Sequence, residues 1–177
     1  MDKNKVYSMP TIVLHWTVAV LFVGLLSVGF YLDYIPKGPE LWQMISLHKS
    51  FGVILLLLAV TRLGWRLKEG ALPTQAMPKW QRIAAKAVQH TLLLMTLVMP
   101  ISGMLMSIGA GYGVAVFGLT LVGEGEKIEW MQNLGSVLHH NLPWFLVALL
   151  GLHLLGAFKH HVLLKDRTLK NMIGVKS

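Results

Sequence analysis

The amino-acid sequence predicts an all-α membrane protein, a bundle of four transmembrane helices with both termini on the cytoplasmic side. Hydrophobic residues make up 54% of the 177 residues and charged residues only 14%, whereas a soluble domain carries about 25% charged residues. Four apolar stretches reach the roughly 20 residues that a helix needs to cross a bilayer. Most lysine and arginine residues lie in the segments on one side of the predicted membrane.

The first apolar stretch has no charged residue between Lys5 and Asp33. Its lysine-rich start is typical of a secretory signal peptide, but the apolar run is longer than a signal core and lacks a clear cleavage motif of small residues. We therefore predict a transmembrane helix here. A turn should follow it, because Pro36, Gly38 and Pro39 disfavour regular helix.

The remaining stretches predict three further helices within a single domain, residues 1–177. Pro100 lies inside the third helix and should kink it, which membrane helices tolerate when neighbours satisfy the freed carbonyl. The glycine-rich segment 109–130 is apolar but too broken for another span, so we expect it to cap the bundle at the membrane surface. The predicted helices cover residues 11–32, 41–67, 80–108 and 131–164.

The distribution of basic residues predicts the orientation, because cytoplasmic loops are enriched in lysine and arginine. The N-terminus, the connection between helices 2 and 3 and the C-terminal end hold most of these residues, whereas the other side has only Lys37, Lys49 and Lys127. The net charge of +8 follows from this asymmetry, so it does not indicate nucleic-acid binding. The inner-side residues are Lys3, Lys5, Arg62, Arg66, Lys68, Lys79, Arg82, Lys86, Lys159, Lys165, Arg167, Lys170 and Lys176.

The histidines are the candidate functional residues, because ionisable groups inside a bilayer are costly and usually functional. His139 and His153 lie 14 residues apart on the fourth helix, which places them about 40° apart around the helix and about 21 Å apart along it. The predicted topology puts His15 at the inner depth of His153 and His48 at the outer depth of His139. Two cross-helix pairs result, while His140 points elsewhere.

Each pair offers two neutral imidazoles, which are the axial ligands that a six-coordinate haem iron needs. A four-helix bundle has room for such a cofactor in its core. Zinc prefers three or four clustered ligands. The chain has no cysteine, which excludes thiolate sites, iron–sulfur clusters and covalent haem attachment through Cys-x-x-Cys-His. The alternative is that each of the four histidines is buried with its own hydrogen-bond partner. The two matched depths disfavour this alternative.

A small residue lies one helical turn from each of these histidines and would leave space for a flat ring. Glycine and alanine are common in membrane helices, so this pattern alone is weak support. The four small residues are Ala19, Gly52, Gly135 and Gly156.

The sequence resembles the bacterial cytochrome b561 family over nearly its whole length. The matching motifs are LHW at His15, ISLHKSFG with His48, VTRLGWRL, QHTLLLMTLVMPISGM, FGLTL, GLH at His153 and HHVLLKDRTLKNM. This resemblance implies a multi-pass protein of the bacterial inner membrane in which four helices hold two b haems by bis-histidine ligation. It assigns the ligand positions to His15, His48, His139 and His153, the residues that depth and spacing also select.

Two cations close to these histidines are candidate partners of the haem propionates. Arg62 lies near the inner end of helix 2, where a guanidinium could bind a carboxylate or could simply follow the positive-inside pattern. Lys49 adjoins His48 on the outer side, where that pattern does not predict a lysine. It could neutralise a propionate, attract an anionic donor, or extend its amine to the surface water.

Three inner-side residues are candidates for binding quinone or a propionate. His90 lies early in helix 3, in its inner half, without a predicted partner, and could equally be a satisfied core histidine. Lys159 and His160 lie at the inner end of helix 4, where they could serve a quinone that takes up protons on reduction. An interfacial cationic cluster is the alternative for this pair.

Two haems, one near each face, would carry electrons across the membrane. The resemblance implies quinone as one partner, and some family members oxidise superoxide at the outer face and would then count as quinone-linked oxidoreductases. The outer donor could be such a small anion or a periplasmic redox protein. The alternative function is a haem b anchor subunit that relays electrons from a docked dehydrogenase or hydrogenase to quinone. A third alternative is a bundle that binds no haem. The chain could also form a homodimer.

Overall fold

The computed structural model describes residues 7–70 and 77–175. Within these residues, four helices are long and apolar enough to cross a membrane, which confirms the predicted spans. The elements in chain order are α1 (Met9–Leu32), α2 (Pro39–Glu69), α3 (Lys79–Gly109), β1 (Val114–Val116), β2 (Leu119–Val122), α4 (Glu129–Phe158), a π-helical turn (Lys159–Leu163) and α5 (Thr168–Met172).

The helix ends follow local sequence signals. Ser8 caps α1, because its hydroxyl oxygen accepts a hydrogen bond from the Thr11 amide at 3.4 Å. Pro39, which we expected in a turn, instead begins α2, since a proline at the first helical position gives up no needed hydrogen bond. Gly70 ends α2 with a φ of 75°, a conformation that glycine adopts without a steric penalty.

The four long helices enclose a small apolar core and turn many apolar side chains outward. Val18, Phe22, Leu55, Met99 and Leu146 form the buried cluster, with at least one residue from each helix. Large outward-facing hydrophobic residues, such as Val20 at 71% exposure and Leu155 at 66%, would be costly in water. They are the surface expected of a protein that lies in hydrocarbon.

Helices α3 and α4 approach each other closely through glycine. A Cβ atom on Gly135 would lie 2.4 Å from the Met106 nitrogen, and one on Gly109 would lie 2.3 Å from the Gln132 nitrogen. Small residues at such crossings let membrane helices pack backbone against backbone. The interpretation of Gly135 as space for a flat ring is therefore wrong, since this glycine packs against α3.

The segment that we predicted as an irregular surface loop contains a β-hairpin. Strands β1 and β2 pair antiparallel, and the two linking residues, Phe117 and Gly118, both have positive φ, as a type I′ turn requires. The Phe117 amide donates to the Ser50 hydroxyl of α2 at 3.0 Å. The Ser107 hydroxyl of α3 donates to the Gly113 carbonyl at 2.6 Å, so two helices fasten the hairpin.

The bundle has two distinct ends. The hairpin end contains the β-hairpin with the start of α2, the end of α3 and the start of α4. The terminal end contains the start of α1, the end of α2, the start of α3, the π-helical turn and α5. The Trp16 indole donates to the Met172 carbonyl at 2.8 Å, and Thr11 donates to the Glu69 carboxylate, so both described chain ends lie here.

The terminal end also holds most of the predicted inner-side cations. Its position on the cytoplasmic side stays a prediction from the basic residues. Lys3, Lys5 and Lys176, which contribute to that prediction, lie outside the described residues.

Candidate functional site

The structure brings together both predicted histidine pairs. At the hairpin end, the rings of His48 on α2 and His139 on α4 have centroids 6.2 Å apart and planes inclined at 86°. At the terminal end, the rings of His15 on α1 and His153 on α4 have centroids 6.3 Å apart and planes inclined at 54°. All four side chains are partly buried. Helix α4 therefore contributes one imidazole to each pair.

The helices that share a histidine pair are not the helices that pack most closely. Backbone packing is extensive between α3 and α4, between α1 and α2 and between α2 and α3, whereas α1 with α4 and α2 with α4 are not among the closely packed pairs of the described chain. The imidazoles meet across these two gaps. Each pair is thus placed where the bundle has space between its helices.

At the hairpin end, contacts from α3 fix the position of His139. Its Nδ1 lies 3.1 Å from the Met99 carbonyl and 3.0 Å from the Ser102 hydroxyl. A carbonyl only accepts, so Nδ1 carries the proton and Nε2 keeps its lone pair. A Cβ atom on Gly103 would lie 2.9 Å from the His139 ring, which leaves room for glycine alone. None of these three residues was predicted from the sequence, although all lie in the MPISGM part of a matching motif.

A cavity of about 430 Å³ adjoins this pair, within the range of ligand pockets. His48 and His139 line it together with Gly52, Gly103 and many apolar side chains. The His48 Nδ1 atom is buried and has no hydrogen-bond partner within the described residues. A buried nitrogen without a partner is costly, so the protein alone does not complete the bonding of this ring.

Lys49 also lines the cavity at the hairpin end. Its Nζ donates to the Ser107 hydroxyl at 2.8 Å and lies 5.6 Å from the centre of the Tyr112 ring. No carboxylate pairs with it among the salt bridges of the described residues. Lys49 is therefore an uncompensated cation next to the pair.

At the terminal end, Arg62 contacts the pair directly. Its Nη2 donates to the His15 Nδ1 at 2.9 Å. Arginine has donors only, so Nδ1 must accept, and the proton of a neutral His15 is on Nε2. Arg62 thus lies beside the pair and holds His15 in the tautomer opposite to that of His139, and its role as a propionate partner stays a prediction.

The three other predicted residues occupy two separate places. His90 lines a groove of about 330 Å³ between α2 and α3, together with Arg66. Lys159 and His160 lie in the π-helical turn after α4, where the His160 Nδ1 contacts the Asp166 carboxylate. His140 lies outside both pairs, and its Nδ1 bonds the Ser136 carbonyl of the preceding turn at 2.9 Å.

Four membrane-spanning helices with two imidazole pairs define a multi-pass membrane cytochrome of the b type. The family model described as prokaryotic cytochrome b561 matches residues 6–175, and the chain belongs to this family. It is a haem b protein of electron transport in the bacterial inner membrane.

Three curated relatives match the chain over almost their full lengths. Cytochrome b561 homolog 2 of Escherichia coli (strain K12) is 32% identical, over 97% of this chain and 93% of that protein. The probable superoxide oxidase CybB of Yersinia pestis is 29% identical, over 98% of both. Cytochrome b561 homolog 1 of Escherichia coli (strain K12) is 25% identical, over 94% of this chain and 96% of that protein.

The paired histidines fit the haem b that the family implies. Each pair would supply two imidazole nitrogens to one haem iron, and the two rings of each pair lie close enough together to share one metal ion. The observed separations are 6.2 and 6.3 Å. No cluster of three or more His, Cys, Asp or Glu side chains suited to a metal ion occurs in the described part of the chain.

Proposed function

We propose that the chain binds two haem b groups, one at each histidine pair, and passes electrons across the membrane between a donor at the hairpin end and quinone. The observation that carries this proposal is the presence of two imidazole pairs at two depths, both sharing α4. His48 and His139 would hold one haem, and His15 and His153 the other. A bis-histidine haem exchanges one electron at a time without giving up a ligand.

The buried core supports this function, because it separates the two pairs with apolar side chains. Phe22 lies seven residues after His15, Leu55 seven residues after His48, and Leu146 seven residues from both His139 and His153. Seven residues are close to two helical turns, so each core residue shares a face with a histidine. All three are at most 6% exposed, which keeps water out of the space between the pairs.

The cations beside the pairs are the proposed propionate partners. Arg62 is within hydrogen-bonding distance of His15, and a metal-bound histidine normally donates from its other ring nitrogen. Arg62 would therefore leave His15 when haem binds and turn to a carboxylate, which suits a guanidinium well. Lys49 would bind a haem propionate at the hairpin end. We assign quinone to the terminal end, near Lys159 and His160, with the groove at His90 as a second candidate.

Superoxide is the donor that the relatives favour, since one of them is named as a probable superoxide oxidase. Two superoxide anions would each lose one electron to become dioxygen, and quinone would take up two electrons and two protons to become quinol. Lys49 is the partly buried cation that could attract the anion. Lys127 contributes less, because it pairs with Glu129 at 3.7 Å.

The second candidate function is an anchor subunit that receives electrons from a docked dehydrogenase or hydrogenase. The surface of the hairpin end favours this alternative. All four residues of β2 are exposed, and the exposed Glu124 and Glu126 follow it. Apolar side chains beside acidic ones would suit a protein partner.

The haem content of the purified protein tests the proposal. Reduced-minus-oxidised spectra should give about two haems per chain for the wild type, and about one for each of His15→Ala, His48→Ala, His139→Ala and His153→Ala, because each change removes one axial ligand. His140→Ala is the control and should keep both. A variant of any of the four that retains both haems would contradict the pairing. Quinone reduction by superoxide with the pure protein separates the enzyme from the anchor subunit.

A further inference from the structure

The C-terminal end of α4 changes from an α-helix to a π-helix. The change begins at Lys159 and lasts for five residues. Such π-helical turns are rare and frequently lie at functional sites. The chain then folds back on this turn, because the Asp166 amide donates to the His160 carbonyl at 3.0 Å. Neither feature was predicted from the sequence.

This fold-back brings the carboxylate of Asp166 against the Nδ1 of His160. The two side chains are only 14% and 19% exposed, with His160 the more buried. The second carboxylate oxygen accepts from the Thr168 amide at 2.8 Å, at the start of α5. Helix α5 is in turn held to α1 by the Trp16 indole. The carboxylate is therefore fixed from two sides.

The pair lies in a segment of the sequence that is rich in basic residues. The elements packed against the π-helical turn are α4 and α5. Asp166 is the one acidic residue in this region of the described chain, and it makes its ion-pair contact with His160. Burial alone would raise the pKa of Asp166, but the hydrogen bonds from His160 and Thr168 outweigh it and lower the pKa. The ionisable neighbours are His153, Lys159, His161, Lys165, Arg167 and Lys170.

The position of His160 relates it to the histidine pair of the terminal end. It follows His153 by seven residues, which places it within a few tens of degrees of the same helix face and about 10 Å nearer the terminal end. His160 thus lies nearer the terminal end of the bundle than the His15–His153 pair does.

We infer that Asp166 is a positioning residue that holds His160 as the proton donor to quinone at the terminal end. The inference rests on the proposed function. A carboxylate that accepts from Nδ1–H directs the other ring nitrogen, Nε2, towards the reacting group. As the two donor electrons reduce the quinone, the N–H bond at Nε2 breaks and an O–H bond forms on a quinone oxygen. Water at the terminal end reprotonates His160, which then supplies the second proton.

The test compares four variants of the full-length, haem-loaded protein: His160→Gln, Asp166→Asn, Asp166→Glu and His161→Gln. His161 is the matched control, because it adjoins His160 but is exposed and bonds no carboxylate in the described structure. Superoxide-driven reduction of decylubiquinone and of a short-chain menaquinone is followed between pH 5 and pH 9. Haem spectra are recorded for each variant, so that loss of folding is distinguished from loss of proton transfer.

We expect His160→Gln to slow quinone reduction by at least about tenfold, since general acids contribute about 10²–10⁴-fold. Asp166→Asn should also slow quinone reduction while leaving the KM for quinone unchanged, because the imidazole loses the acceptor that orients its Nε2 nitrogen. Asp166→Glu should restore much of the wild-type profile, and His161→Gln should match the wild type.

If His160→Gln and His161→Gln reduced quinone at the same rate at every pH, the inference would be overturned. The proposed function would be unaffected by this result. An Asp166→Asn variant with normal haem spectra and a wild-type rate of quinone reduction would also overturn the inference. If the wild-type protein reduces neither quinone, the proposed function fails and the inference fails with it.

Discussion

The two histidine pairs have similar ring separations but different surroundings. At the hairpin end, His139 donates to the Met99 carbonyl, which leaves its Nε2 free for a metal. At the terminal end, His15 instead accepts from Arg62, and its Nδ1 must gain a proton before Nε2 can bind iron. One imidazole of the hairpin-end pair is therefore already oriented for a metal by a backbone carbonyl, whereas the terminal-end pair depends on a side chain that must move.

The largest effect should come from filling the space beside His139. A valine at Gly103 would place atoms where the His139 ring now lies, since a Cβ alone would be 2.9 Å from it. We expect Gly103→Val to lower the haem content from about two to about one per chain, because one of two bis-histidine sites is lost. Gly24→Val is the control, since Gly24 has no neighbour within 4 Å. Full haem content in Gly103→Val would show that the hairpin end is less rigid than the contacts indicate.

A smaller effect should follow from removing the charge at the terminal end. A unit charge about 8 Å from a haem, at an effective dielectric constant of about 20, contributes about 2 kcal/mol, or about 90 mV for one electron. Arg62→Gln should therefore lower the midpoint potential of one haem by several tens of millivolts, because the reduced haem loses a nearby positive charge. Redox titration followed by visible spectroscopy measures both potentials.

Arg66→Gln is the matched control for Arg62→Gln. Arg66 lies one turn further along α2 and donates to the Gly70 carbonyl, so its loss should shift the potential by less than half as much. Equal shifts for the two arginines would mean that Arg62 has no special relation to His15. A shift in both haems would contradict its assignment to the terminal end alone.

The smallest effect is expected from Ser102→Ala. His139 would lose its contact with the Ser102 hydroxyl but keep the Met99 carbonyl. Loss of such a supporting contact typically costs 10–100-fold in metal affinity, and the remaining carbonyl should hold the loss below about tenfold. Haem titration of the apoprotein measures the change. Ser136→Ala removes a similar serine–histidine contact at His140 and should leave haem affinity unchanged, so equal losses would be evidence against the role of Ser102.

The spans and the histidine pairs could be predicted from sequence because each depends on a regular spacing. Hydropathy marks a helix wherever about 20 apolar residues follow one another, and the 14-residue interval from His139 to His153 has a fixed geometric meaning on any helix. The match between His15 and His153 then needed only the alternating direction of the helices. The pairing of the histidine rings was thus predictable without knowing how any helix packs.

Features that depend on packing could not be predicted in this way. Gly135 lies one turn from His139 as expected, but the helix facing it is α3, and spacing along a single helix does not reveal that neighbour. The hairpin escaped prediction because each of its strands has at most four residues, too few to show a period. The contact between His160 and Asp166 depends on a π-helical turn, for which no sequence pattern was available.

The way in which the helices pack has a consequence for the stability of this cytochrome. Helix α3 packs extensively on α4, and α1 on α2, while α2 and α3 also pack on each other. Each histidine pair joins α4 to a second helix, since α4 supplies one imidazole and α1 or α2 supplies the other. Each haem would then link α4 to α1 or to α2, so the protein loaded with haem should be more stable than the protein without it.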